Sequence, residues 1–190
     1  DSALGAQNNS TSTDTYNISI GSGSGAQVTT GIQNTFVGGV AGDALTTGTD
    51  NIAIGFTALS ADTKGNKTTA IGRTALLSQN FTTSTDTYNV AVGYDAGRNV
   101  TTGQENTLIG GLAGDALTDS DGNVALGVQA LSADTLGARN TALGRSALAA
   151  QNFTTATNAY NVAIGYAAGV SVTTATDVTL IGGLAGDAIT

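Results

Sequence analysis

The pentapeptide NISIG at Asn17 to Gly21 returns in near copies nine more times before the chain ends, and this recurrence leaves few folds open. The copies are NTFVG from Asn34, NIAIG from Asn51, TTAIG from Thr68, NVAVG from Asn89, NTLIG from Asn106, NVALG from Asn123, NTALG from Asn140, NVAIG from Asn161 and VTLIG from Val178. Successive starts lie 17, 17, 17, 21, 17, 17, 17, 21 and 17 residues apart. A short period carried from end to end is the mark of a solenoid, in which each repeat is one coil and buries its inner face only by stacking on its neighbours. The sequence therefore predicts a single all-β domain over 1–190, a parallel β-solenoid of about ten coils of 17 or 21 residues.

A second period lies above the first. Tyr16, Tyr88 and Tyr160 precede their copies at intervals of 72 residues, so four coil types follow one another in fixed order. The fourth type is the longer one, TTAIGRTALLSQNFTTSTDTY from Thr68 and NTALGRSALAAQNFTTATNAY from Asn140. The opening residues align with the end of this fourth type, the chain stops thirteen residues into another coil, and neither end reads as a polar cap. With Asp1 first and no Met anywhere, the expectation is a piece of a longer fibre that continues at both ends.

Composition narrows the chemistry. There are 27 Gly, four Phe, five Tyr and no Trp, which suits a thin repetitive interior rather than a broad globular core. The absence of Cys removes thiolate metal sites and disulfides, and the absence of His removes the commonest metal ligand and general base. No Ser-His-Asp set can be assembled, and the expectation is a protein without catalysis, cofactor or metal. A net charge of −8 with no basic run disfavours nucleic acid and anionic membrane surfaces as partners. No apolar run approaches the ~20 residues that span a bilayer.

Within each copy, counting its first residue as place 1, the pattern is tight. Place 4 is Ile, Val or Leu in every coil and place 5 is always Gly, which reads as an inward aliphatic followed by a corner. Place 8 is Ala in nine coils and Ser24 in the other. Where place 9 is Leu (Leu59, Leu76, Leu131, Leu148), place 12 is polar (Asp62, Gln79, Asp134, Gln151). Where place 9 is Gly, place 12 is aliphatic, as at Val28, Leu45, Val100, Leu117, Val172 and Ile189. One large aliphatic per coil is what a fixed interior volume demands, so places 9 and 12 are not expected to face inward together. Asn opens eight of the ten coils, and stacked Asn amides can hydrogen-bond along a rod. At ~4.8 Å per coil the rod is roughly 45 to 50 Å long, and so slender a core suggests wrapping by further copies of itself.

The alternation NTAIG, two residues, AL, a polar Thr/Gly/Asn segment and NTAIG again, clearest in NVALGVQALSADTLGARNTALG from Asn123, resembles the YadA-like heads of trimeric autotransporter adhesins. It is similar also to the 17-residue repeats of phage tail fibres and large bacterial surface proteins. The resemblance covers essentially the whole chain. It implies a left-handed parallel β-roll, a homotrimer, and exposure on a cell or virion surface as an adhesive fibre that meets a host receptor or glycan.

Several motifs resemble known ligand sites but have plainer structural roles open to them. GGLAGDAL from Gly110 nears the calcium-binding nonapeptide of β-roll toxins, but its equivalents lie four coils, ~19 Å, apart, whereas such sites need adjacent turns. Thr at place 13 in eight coils could form an ice-binding rank, yet its neighbouring place is mixed, and a strand-edge ladder suffices. Seven glycosylation sequons stand at Asn8, Asn9, Asn17, Asn66, Asn80, Asn99 and Asn152. The long coils gather Arg73, Phe81 and Tyr88, and again Arg145, Phe153 and Tyr160, as a candidate surface for carbohydrate or for a neighbouring chain. The functional expectation is a structural and adhesive segment of an extracellular fibre. The alternatives are a self-assembling filament without a receptor and a calcium- or ice-binding solenoid.

Overall fold

A computed structural model describes residues 2–7 and 14–190, and these form short strands and turns without a helix. In chain order the strands are β1 (Ile18–Ile20), β2 (Thr35–Val37), β3 (Ile52–Ile54), β4 (Gly65–Asn66), β5 (Thr69–Ile71), β6 (Thr85–Asp86), β7 (Val90–Val92), β8 (Thr107–Ile109), β9 (Val124–Leu126), β10 (Gly137–Ala138), β11 (Thr141–Leu143), β12 (Thr157–Asn158), β13 (Val162–Ile164) and β14 (Thr179–Ile181). The ten that fall on the pentapeptides stack as one parallel sheet, β1-β2-β3-β5-β7-β8-β9-β11-β13-β14. Equivalent residues pair throughout: Ile18 lies beside Thr35, and Thr69 beside Val90. Two small parallel sheets, β4 with β6 and β10 with β12, flank the long coils. The protein is an all-β parallel solenoid of about ten coils.

The facing of the strands overturns one expectation. Place 4 points outward: Ile20 is 61% exposed, Leu126 43% and Ile181 68%. The inward residue is place 3, with Phe36, Ala53, Ala70, Ala91, Leu108, Ala125, Ala142 and Ala163 fully buried. The Asn at place 1 decides this. Side chains alternate along a strand, so an inward Asn forces place 3 in and places 2 and 4 out. Asn34, Asn51, Asn106, Asn123, Asn140 and Asn161 are all fully buried.

Those asparagines form the expected ladder. Each side-chain oxygen accepts the backbone N–H that opens the next coil, as from Asn51 at 3.0 Å and Thr68 at 3.0 Å, while the amide of Asn51 donates to Gly65 O at 2.9 Å. A corner that would leave buried polar backbone unpaired is satisfied by one side chain per coil.

The interior is filled differently from the simple exchange of places 9 and 12. Leu59, Leu76, Leu131 and Leu148 are buried, and so are Val28, Leu45, Val100, Leu117 and Val172. The polar residues at place 12 are buried as well: Asp62, Gln79, Asp134 and Gln151 have no exposure. Both places face inward in the leucine coils, against expectation, because the polar pair is consumed by internal hydrogen bonds. Asp134 accepts from Gly137 N and Phe153 N, each at 3.0 Å, and from Gln151 Nε2 at 2.6 Å; Gln151 Oε1 accepts from Asn161 at 2.8 Å. Asp62, Gln79 and Asn89 repeat the arrangement one super-repeat earlier. Among the glycine coils every second one has a large residue at place 3 (Phe36, Leu108, Leu180), which fills the space of the missing place 9 side chain in its own coil and in the coil before it. A Cβ on Gly97 or Gly114 would stand 2.7 Å from Leu108, and one on Gly25 would stand 2.8 Å from Phe36. One large residue thus serves two coils, which keeps packing dense without excess volume.

Candidate interaction surface

With odd places turned inward, the even places make a continuous outer face on the ten-stranded sheet. Its centre is aliphatic and β-branched: places 2 and 4 carry only Ile, Val, Leu and Thr along the whole rod. Ile18, Ile20, Ile52, Leu126, Ile164 and Ile181 are each more than a third exposed. An apolar strip of this extent is unusual on a surface that meets only water.

Two columns bound the strip. The leading margin is the residue before each copy, and runs Tyr16, Gln33, Asp50, Lys67, Tyr88, Glu105, Gly122, Arg139, Tyr160, Asp177. The trailing margin is place 6, and runs Ser22, Gly39, Phe56, Arg73, Tyr94, Gly111, Val128, Arg145, Tyr166, Gly183. Stacking brings cations onto rings within each column. Lys67 lies 5.2 Å from the Tyr88 centroid and Arg139 5.9 Å from that of Tyr160 on the leading side. Arg73 lies 5.6 Å from Tyr94 and Arg145 5.9 Å from Tyr166 on the trailing side. Lys67 also pairs with Asp86, and Arg98 with Asp95; among the described residues Arg73, Arg139 and Arg145 have no carboxylate partner. On the leading margin a notch of about 240 Å³ opens at Gly122, between Glu105 and Arg139 and beside Gln104 and Asp121.

The six aromatic and arginine residues singled out from the long coils do not form one site. Phe81 and Phe153 are only 6% exposed and belong to the interior, since Asp62 and Asp134 capture their backbone N–H groups and draw them inward. Arg73 and Arg145 stand on the trailing margin, whereas Tyr88 and Tyr160 stand on the leading one. The true ring partners, Tyr94 and Tyr166, lie 21 residues after their arginines, one long coil onward. Reading down the columns of stacked coils, rather than along the chain, would have found them.

Of the sequons, Asn8 and Asn9 lie outside the described residues. Asn66 is buried, its amide donating to Ser84 Oγ and Asp86 Oδ1, and the amide of Asn17 donates to Gly31 O at 2.8 Å, so neither presents a free nitrogen to a glycan. Asn80, Asn99 and Asn152 are exposed. The place 13 threonines stitch coils together: Thr29 Oγ1 donates to Thr46 O, Thr46 Oγ1 to Thr63 O and Thr118 Oγ1 to Thr135 O, at 2.9 to 3.1 Å.

The aspartates of the GGVAGDAL and GGLAGDAL segments, Asp43 and Asp115, each keep a buried Oδ1 without a hydrogen-bond partner among the described residues. Burial pushes both carboxyls above the ordinary range, against a smaller opposing effect of backbone N–H groups. A carboxyl whose pKa is raised on folding holds its proton more tightly in the folded state. Its favourable contribution is therefore present at acid pH and lost as pH rises through the folded value. The variant carrying Asp43→Asn and Asp115→Asn is expected to melt above the parent at pH 7, and the difference to vanish at about pH 3, where both carboxyls are neutral. Thermal midpoints at the two pH values check this.

The geometry defines a stacked rod with one apolar, aromatic-edged face. Comparison with models of protein families, with curated proteins and with solved structures finds no match for the chain.

Proposed function

We propose that the chain is a non-enzymatic structural and adhesive segment of an extracellular fibre or adhesin head. Its copies pack side by side through the outer face of the sheet, three to a bundle, as the YadA-like resemblance implies. The exposed aliphatic strip carries the reading. A strip confined to one face, edged by tyrosines and cations, has the make-up of an interface core with a polar rim. It also supplies the apolar burial that each slender coil cannot find within itself. The outward surfaces of such a bundle remain for a host receptor or glycan, with the exposed Asn and Thr residues of the long coils the most prominent features there.

The test uses Leu126→Lys combined with Ile164→Lys, two outward positions that leave the coil interior untouched. Solution mass of the parent is expected to be that of a closed oligomer. The double variant is expected to lose association by about 100-fold or more, the effect of burying unpaired charge, with its circular dichroism spectrum retained. A parent that stays monomeric at micromolar concentration would refute the reading.

A further inference from the structure

The leading margin has one gap. Of the ten residues in that column nine carry a side chain, and all nine hold φ between 50 and 62°. Gly122, at φ 68°, is the exception. The backbone conformation there accepts side chains from Asp to Tyr in other coils, so it does not call for glycine. Crowding does not call for it either, since a Cβ on Gly122 would meet only Arg139 Cγ, at the ordinary contact distance of 3.7 Å. What the missing side chain leaves is the notch of about 240 Å³.

The two ends of the notch differ in chemistry. Glu105 and Arg139 stand one coil to either side of Gly122, with backbones about 10 Å apart. Both are exposed, and neither has an ion-pair partner among the described residues. Asp121 adds a second carboxylate, one oxygen of which accepts from Gln104 N at 2.7 Å and is fixed by it. At the far end the Arg139 guanidinium lies 5.9 Å from the Tyr160 ring centroid, which limits its freedom. Acceptors therefore gather at one end and a fork of N–H donors at the other. One super-repeat earlier the same five positions read Ile32, Gln33, Thr49, Asp50 and Lys67, with no gap and a single carboxylate.

We propose that the notch binds one acidic pyranose, a hexuronic acid unit of a glycan, with its carboxylate on Arg139 and its hydroxyls on Glu105 and Asp121. This rests on the reading that the chain meets a glycan, and names the class of sugar and the place. A carboxylate suits the guanidinium because two parallel N–H···O bonds form between them. The carboxylates opposite only accept, so the ligand must present donors to them, and neighbouring ring hydroxyls do so without a second charge. In a chain of net charge −8 an anion is held only where a cation stands unpaired. Arg73 and Arg145 are unpaired too, but the trailing margin on which they stand carries no carboxylate to receive the hydroxyls. A volume of about 240 Å³ is below the roughly 300 to 1,000 Å³ that houses a drug-sized ligand, and suits a single sugar ring.

The experiment titrates the parent at pH 7 with glucuronic acid and follows binding by saturation-transfer and chemical-shift NMR. Glucose, with a hydroxymethyl group in place of the carboxylate, is the neutral control, and alanine the zwitterionic one. Glucuronic acid is expected to bind with a Kd of about 1 mM, and both controls at least ten-fold more weakly. Gly122→Asp installs the residue that stands at this place one super-repeat earlier, where Asp50 holds φ 59°. It is expected to keep the circular dichroism spectrum and melting midpoint of the parent and to lose at least ten-fold in affinity. Arg139→Gln is expected to erase the preference for the acid over glucose, and Arg139→Lys to keep part of it. Equal binding of glucose or alanine, or a folded Gly122→Asp variant that binds as the parent does, overturns the assignment. The notch is built by one chain, so the two readings fail separately. An oligomeric parent that ignores glucuronic acid overturns the sugar site and leaves association intact; a monomeric parent that binds it refutes the bundle and leaves the site.

Discussion

Alanine at Gly127 is expected to lower the melting midpoint of the solenoid by about 10 °C, whereas alanine at Gly111, sixteen residues earlier and also glycine, is expected to leave it unchanged. Gly127 holds φ at 140°, and a Cβ there would stand 2.5 Å from the carbonyl carbon and oxygen of Gly144 in the next coil. The first effect costs about 1 to 3 kcal/mol, and the second obliges two stacked backbones to part, for a total of about 3 to 5 kcal/mol. Neither obstacle exists at Gly111. Gly144 N donates to Leu126 O at 2.8 Å across the same pair of coils, so separating them also stretches a ladder hydrogen bond. Thermal melts followed by circular dichroism compare the two variants directly. Equal melting would show that the place 5 glycines serve some purpose other than close stacking. Because each coil touches only its neighbours, the damage at Gly127 is expected to broaden the transition as well as shift it.

The glycine row was legible because its cause is local to the repeat: a corner so tight that backbone lies on backbone leaves the same mark in every copy. The asparagine ladder was legible for the same reason. The direction of the strand was not, since place 3 (mostly Ala) and place 4 (Ile, Val or Leu) are both apolar, and the larger residue invites an inward reading. What settles the matter is the alternation set by the buried Asn, two residues before place 3. Asp62 and Asp134 misled for another reason. A carboxylate among aliphatics reads as a surface residue, and only the fold shows that the backbone N–H groups of Gly65 and Phe81, or of Gly137 and Phe153, converge on it. The cation and tyrosine columns depend on the spacing of coils, so Arg145 and Tyr166 were separated by the same long coil that stacks them.

The second large effect is expected at that buried carboxylate. Asp134→Ala leaves Gly137 N and Phe153 N without an acceptor and removes the partner that Gln151 Nε2 meets at 2.6 Å, all out of reach of water. Unpaired buried donors cost about 1 to 3 kcal/mol each, so the loss is expected at about 4 kcal/mol. The detachment of Phe153 should also free β12 from β10 and raise proteolytic cleavage in the segment 152–158. Asp62→Ala removes the equivalent carboxylate, but there Gln79 Nε2 has a second acceptor, Thr68 Oγ1 at 3.0 Å, where the later repeat has Asn140. That retained bond is expected to make Asp62→Ala the milder change by about 1 kcal/mol. Replacing Thr68 with Val in the Asp62→Ala background should erase the difference. Chemical denaturation of the four proteins measures it, and an Asp62→Ala variant as damaged as Asp134→Ala would mean that the Thr68 hydroxyl, held 2.7 Å from Thr87 Oγ1, cannot serve the glutamine amide alone.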